Sequence, residues 1–243
     1  MKRVALEPAF VLHRRPYRET SCLVELFTRD HGRITVVAKG VNKPRSAIQG
    51  LLQPFVPLLV SFAGKGELMS LTEVEMNGKC GKLEGECLFA GFYLNELLMA
   101  LVQKWDGHQA LFGVYSKTLT GLQGNKLDER VLRSFEKFLL EDLGYGILPK
   151  TEVSLHNTFS PEKWYRFIPE HGFLAVDTGA GTASGNIFFG KNLISIAKEN
   201  WDDENCLFDA KRLIRFVLAP LLGTKTIHSR RLFMHVGEEK NEK

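Results

Sequence analysis

Lys39, Lys43 and Arg45 lie in one short segment, Ala38-Lys39-Gly40-Val41-Asn42-Lys43-Pro44-Arg45-Ser46. A strand-like run, Arg33-Ile34-Thr35-Val36-Val37, precedes it, and an apolar run from Leu51 to Val60 follows it. Three cations on a loop bent by Gly and Pro can neutralise the charges of a polyanion. The segment has no Cys and no carboxylate, so it supplies neither a metal ligand nor a general base. Its chemistry is binding. Arg33 and Lys65 on neighbouring elements extend the candidate face, and each phosphate they neutralise would release a counterion, giving steep salt dependence. Arg14, Arg15 and Arg18 form a second basic group. On residue types alone the ordinary alternative stays open: these are solvated loop charges.

Charge distribution favours the binding reading. Residues 1–80 hold 12 Lys and Arg against 7 Asp and Glu, and the remainder holds 20 against 21. The excess belongs to the N-terminal third, which points to nucleic acid or an acidic membrane surface there. Lys211, Arg212 and Arg215, with Lys225, Arg230 and Arg231 beyond them, could extend a nucleic-acid surface or simply solvate a helix. Base stacking needs aromatic platforms. Phe27, Phe55 and Phe62 are candidates, although each sits in an apolar run where a core role is the commoner one.

Catalytic motifs are missing. Gly64-Lys65-Gly66 lacks the spacing of a P-loop. Gly181-Thr182-Ala183-Ser184-Gly185 is not a nucleophile elbow, and the run from Gly179 lacks dinucleotide-binding spacing. The seven His are scattered, and His13 and His228 read as structural or surface groups. No carboxylate cluster suits a nuclease. The expectation is a protein that is not an enzyme, with no cofactor and no metal.

The elements that must position these residues change character along the chain. Short strand patterns cover Ala9 to His13, Ser21 to Thr28, Arg33 to Val37, Pro54 to Phe62 and Glu67 to Glu75, with turns at Asp30-His31-Gly32 and Ala63 to Gly66. Five such strands suggest a small closed barrel of the OB-fold kind. Helical spacing then takes over at Glu86 to Lys104, Gln109 to Leu122, Asp128 to Leu143 and Asp209 to Leu222. Pro149 to Lys191 is irregular apart from a β-ribbon at Trp164 to Phe167 and Gly172 to Val176. The fold class is α+β. The expected organisation is a β-barrel domain over 1–80, a mainly helical domain over 81–237 and a disordered tail over 238–243, with the boundary at 77–85.

Cys22, Cys80, Cys87 and Cys206 form no C-x-x-C pair and read as small apolar side chains in a reducing compartment. The N-terminus lacks a signal-peptide core, and no stretch reaches the length of a membrane span. Cytoplasmic localisation is expected.

Several short motifs in one order carry a resemblance: Ala9 to His13, Arg15-Pro16, Glu19-Thr20-Ser21, Ala38-Lys39-Gly40, Leu52-Gln53-Pro54-Phe55, Tyr93-Leu94-Asn95-Glu96-Leu97, Leu143-Gly144-Tyr145-Gly146 and Ser229-Arg230-Arg231-Leu232-Phe233. Together they resemble the RecO family of bacterial recombination mediators. The resemblance implies an N-terminal OB-fold followed by a helical domain. It implies binding of single- and double-stranded DNA and annealing of complementary strands, in the nucleoid. It also implies partnership with RecR and with the acidic C-terminal tail of single-stranded-DNA-binding protein. Together these help to load RecA, with RecF an indirect partner. Many members carry four zinc-binding cysteines. This chain has none from Lys150 to Asn205, so it resembles the zinc-free, proteobacterial branch. On the third helix Arg130, Arg133 and Lys137 recur at i, i+3 and i+7, where an acidic peptide could dock. The resemblance makes Arg133 the first choice for its carboxylate. Pairing within the helix, with Glu129, Glu136 or Glu141, is the alternative. A scaffold whose basic loop meets an acidic protein rather than DNA remains the rival function.

Overall fold

Alternation of inward apolar and outward polar residues builds the first half of the chain. Cys22, Val24 and Leu26, then Ile34, Val36 and Ala38, then Leu58, Val60 and Phe62 all turn into one core with Met69. In the computed structural model, which describes residues 2–42, 46–79, 81–124, 126–149, 154, 158–177 and 185–233, these residues line a closed five-stranded barrel. Its strands are β1 (Lys2–Tyr17), β2 (Ser21–Thr28), β3 (Gly32–Ala38), β4 (Pro57–Gly64) and β5 (Leu68–Met76), in the order β1-β2-β3-β5-β4. Every pair is antiparallel except β3 with β5, which run parallel where Thr35 to Val37 meet Leu68 to Ser70. This is the OB-fold topology expected from the strand count.

Both ends of the barrel are closed. A short helix, α1 (Ala47–Leu51), lies between β3 and β4, and Ile48, Leu51 and Leu52 join the core at the end where β3 finishes. At the other end Trp105 packs on Phe62 and His31, with the Lys2 ammonium 4.2 Å from the indole centroid. Gly32 ends the β2–β3 turn at φ +62°, and a Cβ there would fall on the carbonyl oxygen of Asp106. Gly is therefore required twice over: for the left-handed turn and for the approach of the Asp106 backbone.

Among the helices, the one expected to reach Lys104 ends at Leu101 and the one expected from Asp209 starts at Glu204; two barrel strands also start away from expectation. β1 starts at Lys2 rather than Ala9, because register shifts at Val4/Glu7 and Val11/His13 break the alternation that marks a strand in sequence. β4 starts at Pro57 rather than Pro54. Pro54 precedes Phe55, which is held at φ +70° and cannot continue a strand.

Helices α2 (Gly85–Leu101) and α3 (Gln109–Gly121) lie on the outer face of the barrel. Phe112 and Tyr115 of α3 meet Phe10 and Phe27 at ring separations of 5.2 to 5.9 Å. The tie is polar as well as apolar. Asn95 of α2 donates its amide to the carbonyls of Leu12, at 2.9 Å, and Val11, at 3.4 Å, and accepts from the Tyr115 hydroxyl. All four groups sit at the β1 bulge, and burial drives the Tyr115 pKa far upward. Glu96, the next residue, accepts from both the backbone N–H and the hydroxyl of Ser229, at 2.9 and 2.6 Å.

The chain forms two compact units, Met1–Leu127 with Lys225–Lys243, and Asp128–Thr224. The change of period at 77–85 falls inside the first, because α2 and α3 remain on the barrel. The second unit holds α4 (Glu129–Asp142), a sheet of β6 (Trp164–Ile168), β7 (Gly172–Val176) and β8 (Ile187–Phe189) in the order β7-β6-β8, then α5 (Gly190–Ala197) and α6 (Glu204–Leu222). Asp128 caps α4 by accepting from the Arg130 N–H at 3.0 Å, and Asp203 caps α6 in the same way. β8 and α5 fall where no regular element was expected. A three-residue strand running straight into a helix shows neither period for long enough to be read. Among the described residues no helix is long and apolar enough to cross a membrane.

Replacing Asn95 with Leu keeps the volume but removes the amide that serves the buried Leu12 carbonyl and the Tyr115 hydroxyl. We expect a loss of about 2–3 kcal/mol in urea unfolding, with Tyr115→Phe costing less because it removes one hydrogen bond rather than the whole set made by Asn95.

Candidate nucleic-acid interface

Strand register decides where the basic residues stand. Arg15 faces outward beside Leu23, which pairs with Val37. Lys39 follows β3 directly and is exposed. Asn42 holds the basic loop to the β1–β2 turn: its N–H donates to the Thr20 carbonyl at 3.1 Å and its amide to the Ser21 carbonyl at 3.1 Å. Arg15, Arg18 and Lys39 therefore gather at one end of the barrel. Lys43 and Arg45 lie outside the described residues.

Arg33 and Lys65 stand elsewhere. β3 runs about 17 Å from Arg33 to Ala38, and Lys65 sits in the β4–β5 turn at the Arg33 end. Lys39 thus stands at one end of β3 and Arg33 and Lys65 at the other, rather than in one patch. Arg33 is half-buried, its Nε lacks a hydrogen-bond partner among the described residues, and its carbonyl accepts from the Trp105 N–H. Between the ends lies a lysine that sequence reasoning did not single out. Lys104 donates to the Thr35 hydroxyl at 2.9 Å, and Thr35 donates to Glu25 at 2.7 Å. Only its position after a helix, with no periodicity, marks it in the sequence.

Arg14 is partly spent on the fold. Opposite the inward Val24, its guanidinium points to the carbonyls of Gln49 and Leu52, each at 3.4 Å, and so braces the end of α1. The aromatic candidates are also structural. Phe27 and Phe62 are fully buried, and Phe55 packs on Phe92 at 5.2 Å. Among the later residues, Lys225 donates to the Ala100 carbonyl, Arg230 lies over Tyr93 and Arg231 is exposed.

In the second unit Arg130, Arg133 and Lys137 share no free basic face. Arg130 is held by Asp128, with Nε 2.8 Å from a carboxylate oxygen. Arg133 is only 5% exposed and pairs at 3.0 Å with Glu136, which is 1% exposed. The intrahelical alternative is thus the one seen for Arg133: i, i+3 spacing placed it on the buried side of α4. Lys137 reaches both Glu141 and Glu199. Burial would lower its pKa, but the hydrogen bonds it donates to Glu199 and Glu141 outweigh that and hold it above the usual lysine value. Lys137 borders a cleft of about 20 Å³ lined by Leu140, Tyr145, Ile196, Leu213 and Ile214. A cleft of that volume barely admits water. Lys211 pairs with Glu129 at 2.9 Å, while Arg215 is exposed and has no acidic partner among the described residues.

Cys22, Cys87 and Cys206 are buried free thiols. Burial, aided by Asp203 and Asp209, pushes Cys206 up to about 11, which keeps it protonated and unreactive. Cys80 lies outside the described residues. Among the described residues no three His, Cys, Asp or Glu side chains gather as a metal site.

Residues 1–78 match the family model described as the N-terminal domain of recombination protein O, and residues 84–183 match that of its C-terminal domain. Full-length relatives agree. A DNA repair protein RecO of Coxiella burnetii (strain RSA 331 / Henzerling II) is 43% identical over 231 residues, covering 95% of this chain and 98% of the relative. The chain belongs to the RecO family. A RecO of Dechloromonas aromatica is 41% identical over 97% of the chain and 98% of the relative, and one of Nitrosococcus oceani is 44% identical over 95% and 93%. Membership ties the chain to DNA repair and recombination. The two RecO models meet between residues 78 and 84, between β5 and α2, so the sequence families divide at the change of period while packing keeps α2 and α3 with the barrel.

Removing Arg133 breaks its buried ion pair with Glu136. Arg133→Ala should therefore cost about 3 kcal/mol or more in urea unfolding, and Arg133→Met with Glu136→Leu should recover most of it. A stability unchanged in Arg133→Ala would contradict the buried pair.

Proposed function

We propose that this RecO-family chain binds single- and double-stranded DNA through the outer face of its barrel, anneals complementary strands, and helps load RecA recombinase onto DNA coated by single-stranded-DNA-binding protein. The observation that carries this reading is the grouping of Arg15, Arg18 and Lys39 at one end of a closed OB barrel. None of them enters an ion pair with a described residue, and Asn42 is tied beside them. Charges left unpaired on a rigid scaffold are available to phosphates. Lys65 and the half-buried Arg33 extend the reach of the face. Arg14 contributes by bracing α1 and adding positive potential, and Lys211 and Arg215 offer a further contact in the second unit.

Gripping phosphates suits annealing. Phe10, Phe27, Phe55 and Phe62 are committed to the core or to α2 and α3, and the half-buried Tyr17 is covered by the Arg18 guanidinium, so binding would rest mainly on backbone charge and leave base edges free to pair. The protein then acts by holding strands, with no bond made or broken and no cofactor. For its protein partners, RecR and the acidic tail of single-stranded-DNA-binding protein, with RecF indirectly, we assign the tail to the α4 side of the second unit. Lys137 borders an apolar cleft there, Arg130 is exposed two turns earlier on the same helix, and Arg133 is buried between them. Docking of a terminal ring requires that cleft to open.

Changing Lys39, Lys43 and Arg45 together to Glu tests the assignment. Binding of a labelled oligonucleotide in anisotropy and the rate of annealing should both fall by at least tenfold at moderate salt, with the melting temperature unchanged because exposed loop charges carry little stability. A variant that binds and anneals as well as the parent rules out the loop. Loss of an acidic protein partner with DNA binding intact would favour a scaffold role.

A further inference from the structure

Phe208 stands on α6 with 61% of its surface exposed, more than any other large apolar side chain among the described residues. A single exposed ring is ordinary on a protein surface; the setting of this one is not. It is also held in place. The Arg212 guanidinium lies over the Phe208 ring at 5.5 Å and over the Phe188 ring at 4.8 Å. Arg212 is itself fixed by the carbonyls of Gly185 and Ile187, at 2.7 and 3.0 Å, and by Asp209 at 2.6 Å. A stack of ring, guanidinium and ring therefore leaves one Phe208 face outward on a rigid base.

Helical spacing sets cations beside that face. Lys211, Arg212 and Arg215 are at i+3, i+4 and i+7 from Phe208, on one side of α6. Lys211 is engaged by Glu129 and Arg212 by its carbonyls, so Arg215 is the cation left open, about 10 Å along the helix axis. At the N-terminal start of α6 stand Asp202, Asp203 and Glu204, all exposed, with Glu204 one turn before Phe208 on the same side. A phosphate backbone would be repelled from the start of α6 and drawn toward Arg215.

We infer that Phe208 is a stacking platform for an unpaired base of single-stranded DNA, with Arg215 receiving the neighbouring phosphate. This rests on the DNA-binding reading above and adds to it a selectivity for single strands. Bases in a duplex are already stacked and cannot reach the ring, whereas every unpaired base offers a π-face. It also supplies the aromatic contact that Phe27, Phe55 and Phe62 cannot.

The test compares full-length wild type, Phe208→Ala, Phe208→Leu and Phe208→Trp in anisotropy titrations with labelled oligo-dT and with a mixed-sequence duplex of equal length, at one salt concentration. Phe208→Ala and Phe208→Leu should weaken oligo-dT binding about 5- to 150-fold. Phe208→Trp should bind at least as well as wild type, and duplex affinity should stay within twofold in all of them. Matching melting temperatures are expected, since the ring is exposed. The platform is overturned if Phe208→Ala or Phe208→Leu binds oligo-dT like wild type, or if duplex affinity falls in step. A wild type that binds neither form overturns the DNA-binding reading itself, and the platform with it. Binding of both forms with an indifferent Phe208 overturns the platform alone.

Discussion

The bulge in β1 at Leu12 is the constraint on which the first unit depends. A strand that slips its register leaves backbone carbonyls without ladder partners, and buried carbonyls must find donors. Asn95 supplies them, and Tyr115 completes the amide from the other side. One buried side chain thus fixes both helices against the barrel. The loop joining those helices is fixed in turn: Trp105 closes one end of the barrel, and Lys104 lies over Thr35. The part of the outer β2–β3 face that stays open is what this arrangement leaves uncovered.

That placement sorts the cations by availability. Arg14 braces α1, Arg33 is half covered, Arg133 is interred with Glu136, and Arg212 is spent on carbonyls. Arg15, Arg18, Lys39, Lys65 and Arg215 remain open to solvent. A count of basic residues treats these groups alike, but only the second group can exchange water and counterions for phosphate at little cost. The net charge of +4 therefore understates how the free positive charge is concentrated.

Much of this was legible in the sequence. Period-two alternation in β2 and β3 marked the barrel wall, and the Asp30-His31-Gly32 turn was read for the right backbone reason. The helices α2, α3 and α4 appeared from their spacing, and Asp128 from its capping role. Other features were hidden by physics that acts through space. The first eight residues of β1 carry a bulge that breaks alternation. Spacing on α4 grouped Arg130 with Arg133, yet which side of a helix faces the core depends on what packs against it. Phe208 falls just outside the helix expected from Asp209, and nothing local shows that its neighbours leave it uncovered. The resemblance across many short motifs identified the family, while the union of Glu96 with Ser229, residues from two of those motifs, is visible only in the fold.

The central claim is that free cations on a closed OB barrel grip DNA phosphates. Anisotropy of a labelled single-stranded oligonucleotide, titrated across salt without metal or nucleotide, tests it most directly. The account predicts tight binding at low salt that falls linearly on a log–log plot, with a slope counting several phosphates. Absence of binding at low salt, or an affinity indifferent to salt, would contradict it.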